Sequence, residues 1–399
     1  MKSHRRMIAL DLLRAFAVLL VLGRHLPPLD VVLPTLLRPL VQRWIDCGWM
    51  GVDLFFVLSG FLVSGLLFQE YQRHGRIRIG RFLIRRGFKI YPPFYVFIAI
   101  VIYIQYSNYN YDQIARKQIL AEVFFVQNYF PGLLDHTWSL AVEEHFYLML
   151  PAALLIFIAL ESRAANPFRR LPGACCCVAT ILLGLRVLTH YHGKYEDRHN
   201  LFPTHLRVDS LLCGVLLSYY YHFYSEPTLA FARRFRWPMI GIAAVLLIPV
   251  CDDKPWNFFV HTFGFMFAYV GFALLLLVSL TFAIPATGLA SLPFRAVAFC
   301  GTYSYGIYLW HMPVKLWGAM YLHRWFGWHI SATEELLIYV VGSFVVGIAF
   351  SAIIEIPSLA LRDWWFPSRS GAVEPSARGF AALPAKSPVL IPVVVKTAE

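Results

Sequence analysis

The stretch LDLLRAFAVLLVLGRH, residues 10–25, is apolar enough to enter a bilayer, yet it carries Arg14 and His25. Ionisable side chains are expensive to hold in hydrocarbon, so a pair placed there points to function. The spacing is close to three helical turns, which predicts both side chains on one face, roughly 16 Å apart along the axis. One helix then carries a permanent cation near one membrane surface and a titratable base near the other.

The rest of the chain agrees with a membrane setting. Its 399 residues are 58% hydrophobic, 16% aromatic and 15% charged, where a soluble domain carries about 25% charge. The amino terminus imitates a secretory signal, but Asp11 and Arg14 interrupt the apolar run and no small-x-small cleavage site follows, so it is read as the first span. Apolar runs predict an all-α polytopic bundle of ten transmembrane helices near 8–26, 51–69, 92–106, 141–160, 172–189, 205–222, 237–251, 261–283, 296–320 and 334–356. Of the 35 Lys and Arg residues, 22 fall on the side of the amino terminus, 9 on the opposite side and 4 within spans. Positive residues collect inside, so both termini are expected in the cytoplasm. The formal charge of +12 is spread over segments flanking spans, which argues for anionic lipid and against nucleic acid.

The membrane domain is expected over residues 1–366, followed by a Pro-, Ala- and Ser-rich tail over 367–399 that reads as disordered and cytoplasmic. No internal repeat and no appended soluble domain is visible. The longer outer connections are 27–50, 107–137 and 190–204, the second rich enough in Tyr and Asn to suggest a wet aromatic lid. Seven cysteines, including the run Cys175–Cys177, show no CxxC pair and no extracellular framework. They read as small packing residues with neither a metal nor a disulfide role.

Asp53, in GWMGVDLFFVLSGFLVSGLL, opens the second span at the depth where the first ends, which would set a carboxylate beside His25. Such a partner fixes an imidazole's tautomer for a general base. In RHGRIRIGRFLIRRGFKIYPP, read as a cytoplasmic loop, Arg81, Arg85 and Lys89 recur every four residues with Arg86 beside them, a cationic face suited to a phosphorylated ligand. In HTWSLAVEEHFYLMLP, Glu143 shares a face with Phe146 and Tyr147, and only one of Glu143 and Glu144 is expected to face inward. His311, within TYSYGIYLWHMP, reads as a packed residue, and His190 and His192 are poorly spaced for a helical metal site. Arg207 and Asp209 open the sixth span, and Glu355 closes the tenth.

Taken together, RAFAVLLVLGRH, GVDLFFVLSGF, RRGFKIYP, WSLAVEEHFY, SYGIYLWH and the late EIP, spread over residues 10–357, resemble the acyltransferase 3 family of integral membrane O-acyltransferases. The resemblance implies a ten-helix bundle that takes an acyl group, acetyl above all, from cytoplasmic acyl coenzyme A. It passes the group to a hydroxyl of a carbohydrate or small molecule on the far side of a bacterial inner membrane. It marks Arg14, His25, Asp53, Arg86 and Glu143. In that scheme His25, Asp53 and Glu143 are catalytic, while Arg14, Arg81, Arg85, Arg86 and Lys89 anchor coenzyme A. The donor is a substrate, and no permanently bound cofactor or metal is expected. The chain departs from the family at Lys89, where a second Arg is common; lysine keeps the charge but loses the bidentate fork. An O-antigen, exopolysaccharide or peptidoglycan hydroxyl, or a macrolide, would fit as acceptor, and handover to an esterase-like domain is expected to need a separate protein. The alternative is a transporter or flippase of a glycan or lipid-linked substrate.

Overall fold

The computed structural model describes residues 2–27, 36–108, 116–192, 195–251, 257–282 and 288–367, with side chains from Ile8 onward. The tail expected to be disordered lies outside the described residues apart from Pro367. The described chain is helical, with no strand.

In chain order the helices are α1 (Lys2–Arg24), α2 (Arg38–Cys47), α3 (Gly51–His74), α4 (Ile79–Asn108), α5 (Arg116–Val123) and α6 (Trp138–Leu160). Then come α7 (Leu171–Tyr191), α8 (Asp197–Asn200), α9 (Thr204–Phe223), α10 (Ser225–Arg234), α11 (Arg236–Cys251) and α12 (Phe265–Ser279). The last are α13 (Leu292–Thr302), α14 (Ser304–Pro313), α15 (Ala319–Phe326), α16 (Ala332–Phe350) and α17 (Ile356–Trp365).

Each of the ten apolar segments is helical along most of its length. Among the described residues, six helical stretches are long and apolar enough to cross a membrane, or seven if α10 and α11, bent by 78°, form one span. The others are interrupted by charge or geometry. Asp11 and Arg14 sit within α1, and Arg207 and Asp209 within α9. The ninth segment is divided into α13, α14 and α15, with a π-helical turn at Val314–Gly318. Pro313 explains the second break, because proline lacks the N–H that would continue the helical ladder.

The basic segment read as a cytoplasmic loop is helical, as the four-residue spacing of its cations predicts. Arg81 to Lys89 form the first turns of α4, which runs on through Pro92 and Pro93. The apolar spacing within RFLIRRGFKI, with Phe82, Gly87 and Ile90 buried, is what keeps this stretch on the bundle.

Two close approaches hold the bundle together. A Cβ on Gly60 of α3 would run into the carbonyl of Leu211, and one on Gly214 of α9 into that of Val57. Gly306 of α14 and Gly347 of α16 make an equivalent crossing. Small residues are what allow helix backbones to touch where lipid supplies no hydrophobic drive for association.

The cysteine expectation is corrected in one respect. Cys47, at the end of α2, is disulfide-bonded to Cys251, at the end of α11, across 204 residues of sequence. Residues so far apart carry no pairing signal in sequence; they meet because α1, α3 and α12 pack α2 against α11. Cys175, Cys176, Cys177, Cys213 and Cys300 are free thiols. Maleimide labelling of the denatured, unreduced protein should therefore add five labels, rising to all seven after reduction, as read by intact mass. Seven labels before reduction would dismiss the crosslink.

Candidate functional site

His25 follows the last turn of α1, and its ring lies 5.2 Å, centroid to centroid, from that of His311 on α14. His311 in turn lies 5.0 Å from His136. The structure thus brings together His25, His311, which was read as a packed residue, and His136, to which sequence reading gave no role. His136 sits in a tight turn, Asp135–Thr137, just before α6. Its ring nitrogen Nε2 donates to the Leu309 carbonyl at 3.2 Å, and the Tyr308 hydroxyl donates to its own carbonyl at 2.6 Å. Ser139 also meets the Tyr308 hydroxyl at 2.6 Å. These bonds fasten the start of α6 to α14. Lys315, in the π turn after Pro313, lies within electrostatic reach of both His25 and His311. His311 is packed and hydrogen-bonded as expected, and it is also the ring neighbour of His25.

Asp53 is fully buried but does not hold His25. Its Oδ1 accepts from Arg207 Nη2 at 2.8 Å and from the Ser210 hydroxyl at 2.7 Å. The depth expectation survives, since Gly48, just before α3, packs on Leu20 and Arg24 of α1; the direction does not. The α3–α9 crossing turns Asp53 toward α9, where the buried Arg207 needs a counter-charge. Arg207 also stacks 4.0 Å above Phe265, and beside it Arg186 pairs with Asp209 at 2.8 Å.

Glu143 lies deeper in the bundle, accepting from Tyr147 at 2.6 Å, while Tyr147 meets Ser59 of α3 at 2.7 Å. Both glutamates, not one, face protein: Glu144 accepts from Tyr91 of α4 at 3.0 Å. Adjacent residues manage this because α3 and α4 flank α6 on two sides. Lys89 and Arg86 lie within electrostatic reach of Glu143. Lys89 also reaches Asp11 and Glu355.

Arg14 is half-buried and ion-paired to Asp11 at 2.6 Å. Arg81 bonds to the Pro367 carbonyl; Arg85 bonds to the Phe366 carbonyl and pairs with Asp363 at 3.1 Å. The four cations expected as one fork are thus divided, with Arg81 and Arg85 under the end of α17, and Arg86 and Lys89 toward Glu143. Among the described residues, no group of three or more His, Cys, Asp or Glu is placed to hold a metal ion.

The connection read as the second outer one is described from Arg116, and it folds around Glu122. This carboxylate accepts from the Leu133 backbone N–H at 2.9 Å and from the Thr137 hydroxyl at 3.0 Å. It thereby fixes the turn that carries His136. Burial pushes the Glu122 carboxyl up to about 7. The folded state then binds a proton that the unfolded chain has already released. Stability contributed here is full below the ordinary glutamate range and is lost as pH rises toward 7. Between about pH 5 and pH 8 the melting temperature of wild type should fall more than that of Glu122→Gln, by about 2 °C or more. Parallel melting curves in detergent would show no role for Glu122. A second expectation concerns Asp53. Asp53→Ala should cost folded yield, because it strands the buried Arg207. Asp53→Leu combined with Arg207→Leu should recover monodisperse protein on size-exclusion chromatography.

The chain is similar over most of its length to known proteins. It is 28% identical over 339 residues to the peptidoglycan O-acetyltransferase OatA of Listeria monocytogenes, covering 78% of this chain and 50% of that protein. It is 28% identical over 335 residues to the O-acetyltransferase OatA of Staphylococcus aureus, covering 79% and 51%. The chain thus spans about half the length of the curated relatives it matches. No solved structure matches it. An acyltransferase domain matches residues 7–356, which take in Arg14, His25, Asp53, Glu143, His311 and Glu355 alike, and on that match the chain belongs to the acyltransferase 3 family.

Proposed function

We propose that the chain is a multi-pass membrane O-acetyltransferase, moving an acetyl group from cytoplasmic acetyl coenzyme A to a glycan hydroxyl at the outer face of a bacterial inner membrane. The observation that carries this reading is the placing of Arg14 within α1 and of His25 just past its end, where His25 enters a buried cluster of imidazoles. In this reading α1, α9, α11 and the broken α13–α15 segment complete ten spans, with both termini cytoplasmic. The Cys47–Cys251 disulfide supports that orientation independently of charge, since disulfides persist outside the reducing cytoplasm.

His25 takes the proton of the acceptor hydroxyl as its oxygen attacks the thioester carbonyl, and the coenzyme A thiolate leaves. Arg14 and the basic start of α4 hold the phosphates near the cytoplasmic surface. An extended pantetheine arm is comparable in length to the roughly 16 Å between Arg14 and His25, so it presents the thioester to the imidazole. Lys89, Arg86, Glu143, Tyr147 and Ser59 line the bundle between the two levels. Glu143 is placed there to position a reacting group, whereas Asp53 serves by holding α9 to α3. The likeness to the Listeria peptidoglycan O-acetyltransferase favours peptidoglycan as the acceptor. A transporter of a glycan would share the buried charges but leave no acetylated product.

Membranes carrying wild type should transfer radiolabel from acetyl coenzyme A to cell-wall glycan. His25→Ala should lower that rate by about 10²–10⁴-fold at equal folded yield. Undiminished transfer by the folded variant would remove His25 from the chemistry, and direct coenzyme A binding without any transfer would favour a transporter.

A further inference from the structure

The chemistry proposed above uses His25 and leaves the two imidazoles beside it without a task. Both are buried, His311 at 0% and His136 at 6% exposure. His311 Nδ1 bonds to the Tyr308 carbonyl and His136 Nε2 to the Leu309 carbonyl. A carbonyl only accepts, so each of these nitrogens carries the hydrogen. In the neutral rings the other nitrogens, His311 Nε2 and His136 Nδ1, are therefore bare acceptors. Neither has a hydrogen-bond partner among the described residues. Buried polar atoms are rarely left so, and an orphan on each of two adjacent rings calls for a shared explanation.

We infer that the bare nitrogens of His136 and His311 form a subsite that reads hydroxyl groups of the acceptor and holds the reacting one against His25. This rests on the acyl-transfer reading. Two lone pairs on rings whose centroids lie 5.0 Å apart accept two donors, which neighbouring O–H groups, or an O–H and an N–H, of a sugar supply. A carboxylate or phosphate offers lone pairs only and is turned away. Each ring is held by one backbone carbonyl, and the Tyr308 and Ser139 hydroxyls tie together the backbone segments that carry the rings, so little order is lost when a sugar binds. The subsite also separates two outcomes for the same thioester. Water needs only His25 to be activated, whereas a glycan hydroxyl needs to be positioned as well.

The full chain in membranes, supplied with radiolabelled acetyl coenzyme A, divides its label between cell-wall polymer and free acetate. His311→Phe and, separately, His136→Phe remove one acceptor nitrogen each. Either should lower polymer labelling about 10-fold or more while acetate release persists. His311→Gln returns an amide oxygen and should recover part of the polymer labelling. Equal loss of both products in folded His311→Phe and His136→Phe would overturn the subsite, placing the rings in His25's own chemistry or in the fold. Unchanged polymer labelling would overturn it too. Wild type that releases label to neither product would overturn the acyl-transfer reading beneath it.

Discussion

A guanidinium buried among helices must be met by a carboxylate, and in this protein Arg207 is met by Asp53 across a close crossing of α9 on α3. The pair joins α9 to α3 where Gly60 and Gly214 let the two backbones touch. A second pair, Arg186 with Asp209, adds α7 to the same knot, and Phe265 of α12 covers Arg207 with its ring. Removing one partner would leave a charge in a medium that cannot solvate it. The arrangement therefore selects one register of four helices, and the start of α3 is set against the end of α1 in consequence.

That register decides where the imidazoles lie. α1 ends beside the first turns of α3, and α14 reaches the same level because Gly306 and Gly347 let it pack closely on α16. The turn before α6 is brought in by Tyr308 from one side and Glu122 from the other. Three histidines from three distant parts of the chain then share a few ångströms. Below them a sequence of polar groups descends through Tyr147, Glu143 and Lys89 toward Asp11 and Arg14.

The two faces of the bundle are finished differently. On the face of His25, a disulfide secures α2 to α11, and Trp44 of α2 donates to the Leu19 carbonyl of α1 at 3.0 Å. On the opposite face the end of α17 lies along the basic start of α4, through Asp363, Phe366 and Pro367. Cations that seemed in the sequence to form one site thus serve partly to seat the last helix.

The sequence by itself determined the helical class, the apolar segments and the placing of Arg14 and His25 near the two ends of one apolar segment. Each follows from composition and from a period of 3.6 residues, which are local properties. It also displayed the family through the order of its motifs. What only the tertiary structure decided was which ionisable group answers which. Asp53 was read as the partner of His25 at its own depth, and spacing along a chain could not show that Arg207, on a later helix, would meet it instead. Close packing of α3 on α9 gave it to Arg207. Likewise His136 and His311 were legible as residues within recognised motifs but not as neighbours, because 175 positions separate them. Cys47 and Cys251 were hidden for the same reason. Periodicity reports the face a residue occupies on its own helix; the partner on that face is set by the packing of all the others.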